Sequence, residues 1–303
     1  MQNTSTKELI TIVQGLLNSE IIAFELKDAG VVNSAYYIET KGVKKYILKV
    51  EKAEKDFTPQ NSLVVESTVA EKLHSLRLPI NSPKVVFTEA NPAMYCYEYI
   101  EGEVLRSVWK SMSHEGRIDV CKQLGKFHSE IGKQISKEDC IKLGVKINES
   151  AGLHPEVETD YEKIIADAII PEEYINIAIK AKEIFDSALD SSVFQFLHND
   201  GHHENILIKE REISGIIDFG ESEYGEVAKE FSRYIRDFPD YYEYIVASYE
   251  DCSGNKLSRK RLVSNSFLSD LPDIIDDFKK DDEGAQKANM KIETYTRLLS
   301  KYV

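Results

Sequence analysis

The 303-residue chain is short of cysteine, of positive charge and of long apolar runs. Its four cysteines, Cys96, Cys121, Cys140 and Cys252, form no C-x-x-C pair. So sparse a set excludes a disulfide framework, and a reducing, cytoplasmic setting is expected. Lys and Arg number 38 against 52 Asp and Glu, a net charge of −14 with His neutral. Such a surface repels phosphate backbones, which excludes nucleic-acid binding as the main task. No run approaches the ~18 apolar residues that a membrane span requires, so no membrane partner is expected. Met1 to Thr6 shows neither a basic region nor an apolar one, so no signal peptide is expected there. No internal repeat or low-complexity linker is present, and nothing points to an obligatory protein partner. What remains is 42% hydrophobic and 30% charged, the composition of an ordinary globule rather than a disordered chain.

The texture of the chain changes along its length. Leu9, Ile12, Val13, Leu16 and Leu17 recur at helical spacing. From Ile21 to Val50, Ala35–Glu39 and Lys45–Val50 are rich in β-branched and aromatic residues, with Thr40–Lys44 as a turn between them. A second helix is expected over 62–76, and Pro79 and Pro83 break the chain after it. Lys84–Thr88 and Met94–Ile100 read as two more strands, turning at Asn91-Pro92. The following hundred residues read as mostly helical, including a helix over 120–134. A strand-rich island follows from 193 to 219, and helix again from about 227 to the end. The expected fold is α+β and bilobal. Residues 1–97 form a small antiparallel-sheet lobe and 98–303 a larger, mostly helical one.

The chemistry concentrates in the island. His198-Asn199-Asp200-Gly201-His202-His203-Glu204-Asn205 is an H-x-D-x-x-x-x-N run, and Asp218-Phe219-Gly220 begins thirteen residues after Asn205. Ile206 to Ile217 reads as strand, polar turn, strand. A hairpin brings its two ends to neighbouring-strand distance, about 5 Å, which places Asn205 beside Asp218. An amide oxygen and a carboxylate meeting there suit a hard cation such as Mg²⁺. Asp200, one tight loop earlier, can meet a substrate hydroxyl. This is the arrangement of phosphoryl transfer.

The first lobe supplies partners for a nucleotide. Lys49 ends the strand Tyr46–Val50, like the lysine of a V-A-I-K segment. Val65, Val69, Leu73 and Leu76 form the stripe of the next helix, and Glu66 lies about 65° from its centre against about 155° for Glu71. Glu66 is therefore the expected partner of Lys49. Gly30 and Ser34 are the candidates for a phosphate loop, although G-x-G-x-x-G is absent. Glu98, Tyr99 and Ile100, leaving the last strand of the lobe, are candidates for a hinge whose backbone holds a purine edge. His128 shares an apolar helical face with Leu124, Phe127 and Ile131 and reads as a core histidine.

In this motif order the chain resembles the aminoglycoside phosphotransferase and choline kinase group, relatives of the protein kinases. The resemblance implies a protein-kinase-like fold and transfer of the γ-phosphate of ATP or GTP to a hydroxyl of a small, cationic acceptor, foremost an aminoglycoside. It implies Asp200 as the catalytic aspartate and Asn205 and Asp218 as Mg²⁺ ligands. Position 199 is Asn rather than the Arg of H-R-D, and no A-P-E follows Gly220; both departures point away from a protein substrate. Choline, ethanolamine or another small-molecule kinase activity is the alternative within the group. A resistance enzyme and a housekeeping kinase both fit. Two readings of other classes stand beside it: a non-catalytic nucleotide-binding protein, and a zinc hydrolase using His198, Asp200 and His202. Glu221, Glu223, Glu226, Glu230, Asp237, Asp240 and the run from Asp270 to Glu283 offer carboxylates to a cationic acceptor.

Overall fold

The computed structural model describes residues 5–28, 33–52, 61–167, 171–188 and 192–302. The elements run α1 (Thr6–Leu17), β1 (Ile21–Asp28), β2 (Asn33–Thr40), β3 (Lys45–Glu51), α2 (Leu63–Ser75), β4 (Val85–Ala90), β5 (Ala93–Glu98), β6 (Glu103–Val104) and α3 (Leu105–Val108). Then come α4 (His114–Gln134), α5 (Lys137–Leu143), β7 (Lys146–Ile147), α6 (Pro155–Asp167), α7 (Glu172–Asp186), β8 (Phe194–Leu197), β9 (Ile206–Lys209), β10 (Glu212–Ile216) and β11 (Glu223–Glu226). The chain closes with α8 (Val227–Asp237), α9 (Tyr242–Ser253), α10 (Arg259–Lys280) and α11 (Asp282–Leu299). Two compact units result, and the division is discontinuous in sequence. The first comprises residues 1–113, 134–147 and 198–223; the second comprises 114–133, 148–197 and 224–303. Among the described residues no helix is long and apolar enough to cross a membrane.

In the first unit a five-stranded sheet runs in the order β1-β2-β3-β5-β4, with antiparallel neighbours throughout. Strand alternation divides its side chains between two faces. Ile38, Tyr46, Leu48, Met94 and Cys96 pack with Leu9 and Val13 of α1 in one apolar cluster. The intervening Ile47, Tyr95 and Tyr97 pack with Leu63 of α2. Lys49 lies between Leu48 and Val50, so the same alternation sends it to the α2 face. α1 starts where the Ser5 hydroxyl accepts from the Glu8 N–H and Glu8 bonds back to Ser5, a reciprocal cap. The Ser62 hydroxyl caps α2 through the Val65 N–H.

A separate three-stranded sheet of the first unit has the order β10-β9-β6. The β9–β10 hairpin turns on Glu210 and Arg211, both left-handed at φ +53° and +72°. That is the two-residue turn whose twist matches a hairpin. In the second unit α10 is the central helix, packed by α6, α7, α8 and α11. Its first turn buries Arg261, whose guanidinium sits 4.1 Å over the Phe185 ring and bonds both oxygens of Glu226.

Candidate active site

Lys49 is 7% exposed and Glu66 1% exposed, which excludes a solvated strand-end lysine. The Lys49 ammonium donates to Glu66 Oε1 at 2.8 Å and Oε2 at 3.1 Å, and to Asp218 Oδ1 at 2.9 Å. Burial opposes its charge, but the Asp218 and Glu66 carboxylates outweigh burial and raise its pKa. Lys49 therefore stays a cation. The Tyr95 hydroxyl donates to Glu66 Oε1 at 2.7 Å and fixes the carboxylate from the neighbouring strand. Tyr95 pairs directly across from Lys49 in the β3–β5 ladder, so the two share one face.

The second half of the site is built by the β9–β10 hairpin. Ile206 pairs with Ile216, and the ladder continues one step as the Ile217 N–H donates to the Asn205 carbonyl at 3.0 Å. Asn205 and Asp218 thus flank the open end of the hairpin. Asp218 has φ +66°, a left-handed conformation that costs a non-glycine residue energy and is held here by the surrounding bonds. His198, fully buried, ties the preceding loop to the same point. Its Nε2 donates to the Ile217 carbonyl at 2.9 Å, its Nδ1 accepts from the Asp200 N–H at 3.1 Å, and its ring lies 4.5 Å from that of Phe219. Both ring nitrogens are spent, so His198 is a neutral orienting residue rather than a zinc ligand. Among the described residues no group of three His, Cys, Asp or Glu side chains could hold a metal ion.

Asn205 is oriented by Asp200. Its Nδ2 donates to the Asp200 carbonyl and to Asp200 Oδ2, both at 3.0 Å. With the amide nitrogen so engaged, the amide oxygen is the atom of Asn205 left to serve as a hard donor. The Asp218 side chain is 44% exposed and carries the other hard donor. An amide oxygen and an accessible carboxylate at one hairpin mouth form a donor set of the kind Mg²⁺ takes, with water completing its shell.

A model of the phosphotransferase enzyme family, APH, matches residues 25–255. The chain belongs to the phosphotransferase enzyme family. It is accordingly a phosphotransferase with an alcohol group as acceptor, and its α+β architecture is protein-kinase-like. No curated protein sequence matches it. Three of the similar solved structures carry the fold. A GDP complex of an aminoglycoside 2'-phosphotransferase-IIIa mutant shares 14% identity at a TM-score of 0.72, covering 97% of this chain and 98% of that one. A ternary complex of streptomycin, ATP and APH(2")-IIa shares 17% identity at a TM-score of 0.62, covering 99% of each chain. A macrolide 2'-phosphotransferase from Brachybacterium faecium shares 12% identity at a TM-score of 0.63, covering 94% of this chain and 98% of that one.

The phosphotransferase's other candidate residues fall as follows. Gly30 lies outside the described residues. Ser34 is the second residue of β2, paired with Val50 and one step from the Ala35–Lys49 pair. At the hinge, the Glu98 N–H donates to the Lys84 carbonyl and the Tyr99 N–H to the Lys45 carbonyl, both at 3.0 Å. Two of the three hinge N–H groups are thereby committed within the chain. His128 is a buried core residue with Nε2 2.6 Å from the Tyr234 hydroxyl. Several carboxylates offered to a cationic acceptor are structural instead. Glu226 is locked by Arg261, and Glu223 and Glu230 are buried. Asp281 caps α11 through the Gly284 N–H. Tyr95 escaped sequence reading; the alternation Met94-Tyr95-Cys96-Tyr97 beside the lysine strand is the signal that could have found it.

Proposed function

We propose that this phosphotransferase is a small-molecule kinase that moves the γ-phosphate of ATP or GTP to a hydroxyl of a small cationic acceptor, with an aminoglycoside as the acceptor class. The observation that carries this is the hairpin mouth, where Asn205, oriented by Asp200, and Asp218, bonded to Lys49, flank one point. Residues 1–97 act as the nucleotide-binding lobe and 98–303 as the catalytic and acceptor-binding lobe. The four free thiols fit a reducing cytoplasm.

In this mechanism Lys49, held by Glu66 and Tyr95, gives its charge to the nucleotide's phosphates. The Asn205 amide oxygen and the Asp218 carboxylate would hold Mg²⁺, which would neutralise charge on the terminal phosphates. Asp200 accepts a hydrogen bond from the acceptor hydroxyl and aligns its oxygen for in-line attack. His198 keeps Asp200 in place through its backbone. Ser34 lies toward the phosphates, and Ile100 offers the hinge N–H that the strands leave over. Most of the rate enhancement comes from positioning and fixed charge.

The net charge of −14 favours cationic acceptors, and the fold is shared with aminoglycoside and macrolide phosphotransferases. The test is a transfer screen with ATP and GTP against aminoglycosides, macrolides, choline and ethanolamine. Phosphorylated aminoglycoside is the expected product. Transfer confined to choline or ethanolamine would replace the acceptor, and no transfer from either nucleotide would overturn the kinase reading.

A further inference from the structure

A buried asparagine bonds the two segments that carry the partners of Lys49. Asn61 is 5% exposed and directly precedes Ser62, the N-cap of α2. Its backbone N–H donates to the Gly220 carbonyl at 3.1 Å, and its Nδ2 donates to the Ser222 carbonyl at 2.8 Å. Glu66 lies one turn into α2, with its own N–H on the Ser62 carbonyl at 2.9 Å. Asp218 lies two residues before Gly220. One residue thus bonds the start of the helix that carries Glu66 to the loop that carries Asp218. Gly220 itself runs between the two carboxylates: a Cβ placed there would stand 3.5 Å from Asp218 Oδ1 and 3.5 Å from Glu66 Oε2.

We propose that Asn61 is a positioning residue for phosphoryl transfer, clamping the N-terminus of α2 to the 218–222 loop so that Lys49 meets Glu66 and Asp218 at once. The role rests on the kinase reading above. Two bonds from one residue, one backbone and one side chain, restrain both the separation and the rotation of the two segments. Loss of the side-chain bond leaves the Ser222 carbonyl without the donor it has here, and the loop gains freedom relative to the helix. Small displacements of this kind act on turnover because the charged groups must be in place together.

The test uses the full chain as wild type, Asn61→Ala, Asn61→Asp, Glu66→Gln and the Asn61→Ala/Glu66→Gln pair. Asn61→Asp keeps the shape and replaces the donor by an acceptor, so it reports even where the alanine variant folds poorly. Steady-state kinetics are read with Mg²⁺ and the better nucleotide, and amide hydrogen exchange is followed over 63–75 and 218–222. Each Asn61 variant is expected to lower kcat about tenfold, the effect of roughly 1.4 kcal/mol on the barrier. In the Glu66→Gln background the further loss is expected to be under about twofold, because both changes act through one arrangement. Exchange is expected to rise in both segments together. Unchanged kcat in both Asn61 variants, or faster exchange in only one segment, would overturn the clamp. Absence of transfer by the wild type would overturn the kinase reading instead, and exchange alone would then decide whether the clamp stands.

Discussion

Asp218 Oδ1 lies 2.9 Å from the Nζ of Lys49, an ammonium that also meets Glu66 Oε1 at 2.8 Å. The two carboxylates differ in exposure. The Glu66 side chain is 2% exposed and that of Asp218 is 44% exposed. Lys49 and Glu66 therefore form the permanent pair, and Asp218 is the partner that solvent or a ligand can reach.

That asymmetry separates stability from turnover. Lys49→Met leaves the Glu66 carboxylate buried without its cation, which costs about 3–5 kcal/mol for a broken buried pair. Asp218→Asn keeps the buried pair and removes an accessible one, so its cost stays under about 1 kcal/mol. Both variants are expected to lose turnover. Urea denaturation alongside transfer kinetics checks this; equal destabilisation by the two would contradict the division of roles.

Tyr95→Phe removes the hydroxyl that bonds Glu66 Oε1 at 2.7 Å and nothing else. Bonds to a charged acceptor are worth about 1.5–3 kcal/mol. A stability loss of that order is expected, with turnover reduced less than in Glu66→Gln because the Lys49 bonds to both carboxylate oxygens remain. Turnover at the Glu66→Gln level would show that Tyr95 does more than orient.

Asp270 gives a pH signature in the second unit. It is 2% exposed, its Oδ1 finds no hydrogen-bond donor among the described residues, and burial raises its pKa to about 6. A folded pKa above the unfolded value of 3.8 means that the native state binds the proton more tightly. The group's favourable contribution is complete below about pH 4 and is lost as pH rises through about 6. Asp270→Asn should therefore be more stable than wild type at pH 7.5, by about 3 kcal/mol at most, with the advantage shrinking to nothing near pH 4. Denaturation of both proteins across this range decides it, and an advantage independent of pH would refute the assignment.

Much of this was legible in the sequence where the signal is local. The Asp200–Asn205 loop, the short hairpin and Asp218 lie within nineteen residues, and strand period alone sends Lys49 to the face opposite Leu48. The helix partner was reachable too, although the buried face of α2 runs through Leu63, Glu66, Val69, Ala70 and Leu73 rather than through Val65 and Leu76. α2 lies on β4 and β5 with Glu66 near the middle of its buried face, while Val65 is only partly buried. β1 was hidden inside a strand-rich stretch because irregularities near Ile21 and Leu26 break its alternation. α4 starts at His114, six residues before the expected start, because its first turn is polar and carries no apolar period. Burial of the carboxylates in the second unit was not legible. Glu226 looks like any surface glutamate until Arg261, 35 residues away, folds onto it.

The most direct measurement is phosphoryl transfer by Asp200→Asn, read together with nucleotide affinity in the same preparation. The account predicts transfer reduced by about a thousandfold or more, the combined scale of aligning and deprotonating the acceptor, with nucleotide affinity within about threefold of wild type. Transfer at the wild-type rate would contradict it.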